Sequence, residues 1–193
     1  MVRVTDATDL RTALEGSGGT VTDFLELLVG EGIEAHGRHH AMIEALPANH
    51  LQVEEGRPLL QRAAILRGRT SGNSYVYAES VIVTNRLPAW FGPRLRSSSE
   101  PIGRMLREAG FAVTRREFAD AGNPILARQR MDHPPVKDWL LTRTYRIDAE
   151  QAPLMMITEW FLTTLRPFLS KALRSDKGDS GPVVDGDPSR RNS

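Results

Sequence analysis

The chain has no cysteine. That excludes disulfides, thiolate nucleophiles and cysteine-based metal sites together. Lysine is scarce too, standing only at Lys137, Lys171 and Lys177, so the cations are almost all arginine. Arginine's planar fork bonds both oxygens of a carboxylate, which an ammonium cannot do. No apolar run is long enough to span a bilayer and no signal peptide is evident, which reads as a soluble cytoplasmic protein. A formal net charge of +1 supplies no global attraction to nucleic acid or to an anionic membrane, and neither is expected as a partner. The chain carries no GxGxxG, no Walker loop, no zinc-ligand spacing and no GxSxG, so the motif-defined nucleotide, zinc and serine-hydrolase classes fall away.

What is present is 193 residues of ordinary globular composition, enough for one domain with a sizeable core. The most informative stretch is Leu154-Met-Met-Ile-Thr-Glu-Trp-Phe-Leu162. As a strand it puts Met155, Ile157, Glu159 and Phe161 on one face and Leu154, Met156, Thr158, Trp160 and Leu162 on the other. Both faces are apolar, as in a strand covered on both sides. Glu159 then loses hydration, and a buried carboxylate must either pair with a cation or stay protonated.

Along the chain, Leu10 to Glu15 forms a helical turn, and Thr20 caps a helix through Leu28 that Gly30 and Gly32 stop. Residues 33–50 hold His36, His39, His40 and His50. On a helix His36 and His40 would share a face, but there is no carboxylate between them and Gly37 weakens the helix, so this reads as a polar surface segment. Leu59 to Leu66 and Tyr75 to Val83 make a hairpin around a turn at 67–73. Arg62 is a lone cation on the face of Leu60, Ala64 and Leu66, either an ion-pair partner of Glu79 or Glu159 or an anion clamp.

Serines before Pro101, followed by Ile102, Gly103, Arg104, Met105 and Leu106, mark a helix start, whose free amides suit a carboxylate. Phe111 to Phe118 is a strand, and the polar stretch 119–137, with Pro124, Pro134, Pro135 and His133, is a loop of a length that suits a lid. Trp139 to Ile147 is a strand with Arg143 on the face of Leu141, Tyr145 and Ile147 and Arg146 on the other. It forms a second hairpin with the opening stretch, and a short helix covers Arg166 to Leu173. Residues 175–193 are too polar to order themselves, leaving a domain over 1–174 and a disordered tail. The class is α+β, a single antiparallel β-sheet flanked by helices.

The segments Leu59-Leu-Gln-Arg62, Tyr77-Ala-Glu-Ser-Val-Ile82, Glu100-Pro-Ile-Gly-Arg-Met105, Arg143-Thr-Tyr-Arg-Ile147 and Ile157-Thr-Glu-Trp-Phe-Leu162, in this order, resemble the chorismate pyruvate-lyase family, in its actinobacterial and archaeal branch. The resemblance runs over about residues 10–165. It implies one antiparallel sheet with an internal ligand cavity, no metal and no cofactor. It also implies conversion of chorismate to 4-hydroxybenzoate and pyruvate. By position, Arg62 matches the arginine of the ring carboxylate, and Ile102, with Gly103, the helix-start amides on the same ligand. Glu159 matches the glutamate at the hydroxyl or ether end. Held partly protonated by its apolar face, it would donate toward the ether oxygen as enolpyruvate leaves. Arg143 and Arg146 match arginines facing the second carboxylate. The chain departs from the family pattern at Thr144 and at Glu79, where arginines are common.

The implied partner is a small-molecule substrate, and the expected state is a monomer or weak homodimer. The alternative is a binding domain without chemistry, similar to the effector-sensing domains of bacterial repressors. Those follow a helix-turn-helix domain, and the segment before the first hairpin here is short and glycine-broken.

Overall fold

The computed structural model describes residues 4–47, 49–118, 138–150 and 152–170. Its helices are α1 (Val4–Gly16), α2 (Val21–Val29), α3 (Phe91–Ser97) and α4 (Ile102–Glu108). Its strands are β1 (Ile33–Glu44), β2 (Pro58–Gly68), β3 (Ser74–Ile82), β4 (Val113–Phe118), β5 (Trp139–Ala149) and β6 (Ala152–Leu162). They form one 6-stranded antiparallel sheet in the order β1-β2-β3-β6-β5-β4. The α+β class and the two hairpins therefore stand as read from the sequence. The apolar stretch around Glu159 lies in the middle of the sheet as β6, paired with β3 on one side and β5 on the other. Every described residue of β6 from Pro153 to Leu162 is buried, which matches its two apolar faces.

The helices cover one face in two groups. Leu10 and Leu14 of α1 and Phe24 and Leu25 of α2 pack with Leu66, Val76 and Phe161. At the other end of the same face, Phe91 and Leu95 of α3 and Met105 and Leu106 of α4 pack with Ile82, Tyr145, Ile147 and Met155. On the opposite face Leu59, Val81 and Met156 pack beneath Ala45, Leu51 and Val53 of the β1–β2 connection. Among the described residues no helix is long and apolar enough to cross a membrane.

Several elements differ from the sequence reading. The histidine-rich segment is an edge strand, β1, and not merely a polar surface stretch. Its alternation is broken by a bulge between His36 and His39, where Gly37 takes a φ of 57°, so no continuous apolar face announces it. The strand is held by backbone bonds to β2, which sequence periodicity does not display. The first helix begins at Val4 and is longer than the helical turn expected. A 3-10 turn at Thr84–Arg86 leads to α3 after the first hairpin. The expected cap at Thr20 is present: its hydroxyl accepts from the Asp23 amide, and the Asp23 carboxylate accepts from the Thr20 amide. The proposed lid at 119–137 with His133, the tail at 175–193, and the part of the final helix beyond Ser170 lie outside the described residues.

Glu31 joins the end of α2 to the β2–β3 turn. Its carboxylate accepts from the Thr70 and Ser71 amides, the Ser71 hydroxyl and the Tyr75 hydroxyl. These bonds favour the ionised form, with the Ser71 hydroxyl foremost, and hold the carboxyl at a pKa of about 2. The folded value lies below the ordinary 4.5, so between these two pH values the unfolded chain binds more protons. The stabilisation from Glu31 is thus fully present above about pH 4.5 and is lost as pH falls through about 2. Wild type and Glu31→Gln, compared by urea denaturation across this window, should converge in stability toward the acid end; a constant difference would refute the assignment.

Candidate functional site

The site begins with the register between β6 and its neighbours. Glu159 lies opposite Ala78 of β3 and Arg143 of β5, and Arg62 lies opposite Ser80 of β2's partner strand. The two-residue side-chain period therefore puts Arg62, Ser80, Ala78, Glu159, Arg143 and Tyr145 on the face that the helices cover. Arg62 and Glu159 are each only 4% exposed. Of the two options open for Glu159, pairing or protonation, the structure shows pairing. Arg143 Nε donates to Glu159 Oε2 at 2.8 Å, and Tyr145 Oη donates to Oε1 at 2.9 Å. The Arg143 guanidinium also lies over the Tyr145 and Phe161 rings, at 4.9 and 5.6 Å from their centroids. Burial first, and then the Glu159 carboxylate, push the Tyr145 hydroxyl well above its ordinary pKa, so it remains a hydrogen-bond donor.

Between the two helix groups this face is not filled. It encloses a cavity of about 270 Å³ that reaches from Arg62 past Glu159 and Tyr145 to Arg115 of β4. That is just below the usual ligand-site range of roughly 300–1,000 Å³, room for a molecule of about one ring with a short arm. The far wall is made by the α1–α2 connection with Thr20, and by the start of α4 with Ile102 and Gly103. No side chain caps α4 at Pro101, and the first amides of a helix have no intrahelical acceptor. Ion pairs of Arg104 with Glu26 and of Arg107 with Asp23 tie α4 to α2.

Gly103 permits this closeness. A Cβ built there would stand 2.8 Å from the Cβ of Thr20, the residue that caps α2.

The structure thus gathers Arg62, Ile102, Gly103 and Glu159 around one cavity. Arg143 stands behind Glu159, paired with it, and is not in the cavity lining. Arg146, expected to face the same ligand, is on the opposite face. There it forms a double contact with Asp148 and donates to the His50 carbonyl at 2.9 Å. The physical reason is parity: neighbouring side chains on a strand point to opposite faces, so Arg143 and Arg146 cannot share one. Glu79 also lies on the opposite face from Arg62, and it accepts from the Tyr77 hydroxyl at 2.8 Å. Tyr145 and Arg115 were missed as site residues, although the alternation of Arg143, Tyr145 and Ile147 already put the tyrosine on the arginine's face. Nothing local in β4 signals that Arg115 meets the cavity. Among the described residues no group of three or more His, Asp or Glu is placed to hold a metal ion, and the histidines of β1 lie along an edge strand.

An antiparallel sheet whose helix-covered face encloses a small cavity, with a buried arginine and a buried glutamate in its lining, defines an α+β domain built around a small internal site. The chain belongs to the chorismate pyruvate-lyase Rv2949c-like family, whose model matches residues 16–169. A chorismate pyruvate-lyase of Mycobacterium tuberculosis is 34% identical over 116 residues, which is 59% of this chain and 57% of that protein. The chain thus spans little more than half of that relative. One of Mycobacterium leprae is 30% identical over 163 residues, covering 81% of this chain and 75% of its own. Among solved structures, the effector domain of PhnF from Mycobacterium smegmatis aligns with a TM-score of 0.44 at 16% identity, over 76% of this chain and 90% of that one. So distant a likeness carries no weight for function.

Three substitutions check this geometry. Arg143→Met leaves the Glu159 charge buried without its ion pair and should destabilise the fold by about 3–5 kcal/mol. Adding Glu159→Gln to it should recover much of that loss; chemical denaturation of the single and double variants reads this directly. Gly103→Ala gains roughly 0.5–1 kcal/mol of helix propensity. It should still lower the thermal midpoint, because the new Cβ meets Thr20; a raised midpoint would show that the helices separate freely.

Proposed function

We propose that the chain is a chorismate pyruvate-lyase that eliminates pyruvate from chorismate in this cavity and leaves 4-hydroxybenzoate. The observation that carries the reading is that Arg62 and Glu159, buried on one face of the sheet, line the same small cavity. Membership of the family supports it.

Chorismate is a ring diene with a ring carboxylate, a hydroxyl, and an enolpyruvyl ether on the neighbouring carbon. Arg62 clamps the ring carboxylate, assisted by the open amides at Ile102 and Gly103. Fixing the ring in this way converts binding energy into orientation. Glu159 handles the proton. Arg143 and Tyr145 each donate to one of its oxygens, which orients the carboxyl group toward the cavity and positions it to accept. It takes the hydrogen from the hydroxyl-bearing carbon. That electron pair completes the aromatic ring, the adjacent ether C–O bond breaks, and enolpyruvate departs with the bonding pair. Glu159 returns the proton to the departing enolate, which becomes pyruvate. Aromatisation supplies the driving force, and the chain's own residues provide position and proton transfer.

Purified protein incubated with chorismate should release 4-hydroxybenzoate and pyruvate in equal amounts. Glu159→Gln should slow turnover by about 10²–10⁴-fold, the usual worth of a general acid–base group. Arg62→Ala should raise KM by roughly 10–100-fold, the worth of hydrogen bonds to a charged group. Tight binding of 4-hydroxybenzoate with no pyruvate release would make the protein a binding domain instead, and unchanged kinetics in both variants would remove these residues from the site.

A further inference from the structure

Chorismate carries two carboxylates, and Arg62 accounts for one. The arginines near the cavity are not equally available for the other. Arg143 is paired with Glu159, Arg146 is on the other face with Asp148, and Arg107 is paired with Asp23. Arg115 differs from all of these. It lines the cavity from β4, exposed at the rim, and Nη1 donates to the Gly19 carbonyl at 2.9 Å. A carbonyl accepts a hydrogen bond without neutralising the charge, and among the described residues Arg115 makes no ion pair within 4 Å. The acid nearest it along the same face of β4, Glu117, is engaged by Arg11 at 3.9 Å and by Arg143 at 3.7 Å. Its positive charge is felt at the Tyr145 hydroxyl, beside Glu159.

Its placement is as telling as its availability. From β2 the sheet runs through β3, β6 and β5 to β4, so the strands of Arg62 and Arg115 lie roughly 19 Å apart at ordinary strand spacing. Long side chains reaching inward from both ends bracket a molecule of one ring and one short arm. Glu159 and Tyr145 stand on the strands between them. We propose that Arg115 recognises the second carboxylate, the one on the enolpyruvyl arm, and makes the cavity selective for a dicarboxylate over the monocarboxylate product. The inference rests on the lyase reading above. It also gives release a physical basis: once the arm has left as pyruvate, 4-hydroxybenzoate retains only the Arg62 end.

The test is a split between two ligands. Arg115→Gln should raise KM for chorismate about 10–100-fold, the loss expected for a charge-assisted contact, while its Kd for 4-hydroxybenzoate, measured by calorimetric titration, stays within about twofold of wild type. Arg62→Ala should weaken both. If Arg115→Gln weakens both ligands alike, Arg115 acts only by tying down the Gly19 connection and the proposal falls; it falls equally if neither ligand is affected. Wild-type protein that releases no pyruvate overturns the lyase reading instead. The Arg115 assignment is then decided by titration with chorismate itself, and holds only if Arg115→Gln weakens chorismate and spares 4-hydroxybenzoate.

Discussion

A carboxylate buried in the middle strand of the sheet is the constraint on which the rest of the arrangement depends. Removing two charges from water carries a penalty of several kcal/mol per ion, which only good geometry offsets. Here Arg143 meets Glu159 from the adjacent strand, Tyr145 supplies the second hydrogen bond, and the Tyr145 and Phe161 rings flank the guanidinium. Well-packed apolar residues in these positions would hold a sheet together at least as well. The network is therefore better explained by what it presents to the cavity: a fixed carboxylate with its charge compensated and both oxygens oriented.

The cavity itself is a consequence of how the helices divide. One group packs against the end of the sheet near Leu66 and Phe161, the other against the end near Ile147 and Met155. The space between is bridged where α4 meets the start of α2. That contact is close because Gly103 has no side chain, and it is directed by the ion pairs of Arg104 and Arg107 with the acids of α2.

The strongest local signals in the chain were legible. Long apolar runs such as Leu154 to Leu162, and β-branched and aromatic runs such as Tyr75 to Val83, became strands where expected, and the Thr20 cap formed. The edge strand β1 was hidden because its bulge at Gly37 breaks the alternation and its stability comes from pairing with β2. Arg143 and Arg146 were both drawn toward one ligand although strand parity separates them, and the structure enforces the parity.

The sequence alone determined which side chains share a face within each strand, because a period of two is a property of the extended backbone. Arg62 with Leu60 and Ala64, Glu159 with Ile157 and Phe161, and Arg143 with Tyr145 were readable for that reason. Only the tertiary structure decided that these faces are the same face. It brought β3 against β6, remote in sequence, in the register that puts Glu159 opposite Ala78, and it set β4 with Arg115 at the far edge. Pairing between distant strands is settled by the burial of whole faces and the packing of helices over them, and no local stretch of chain contains that information.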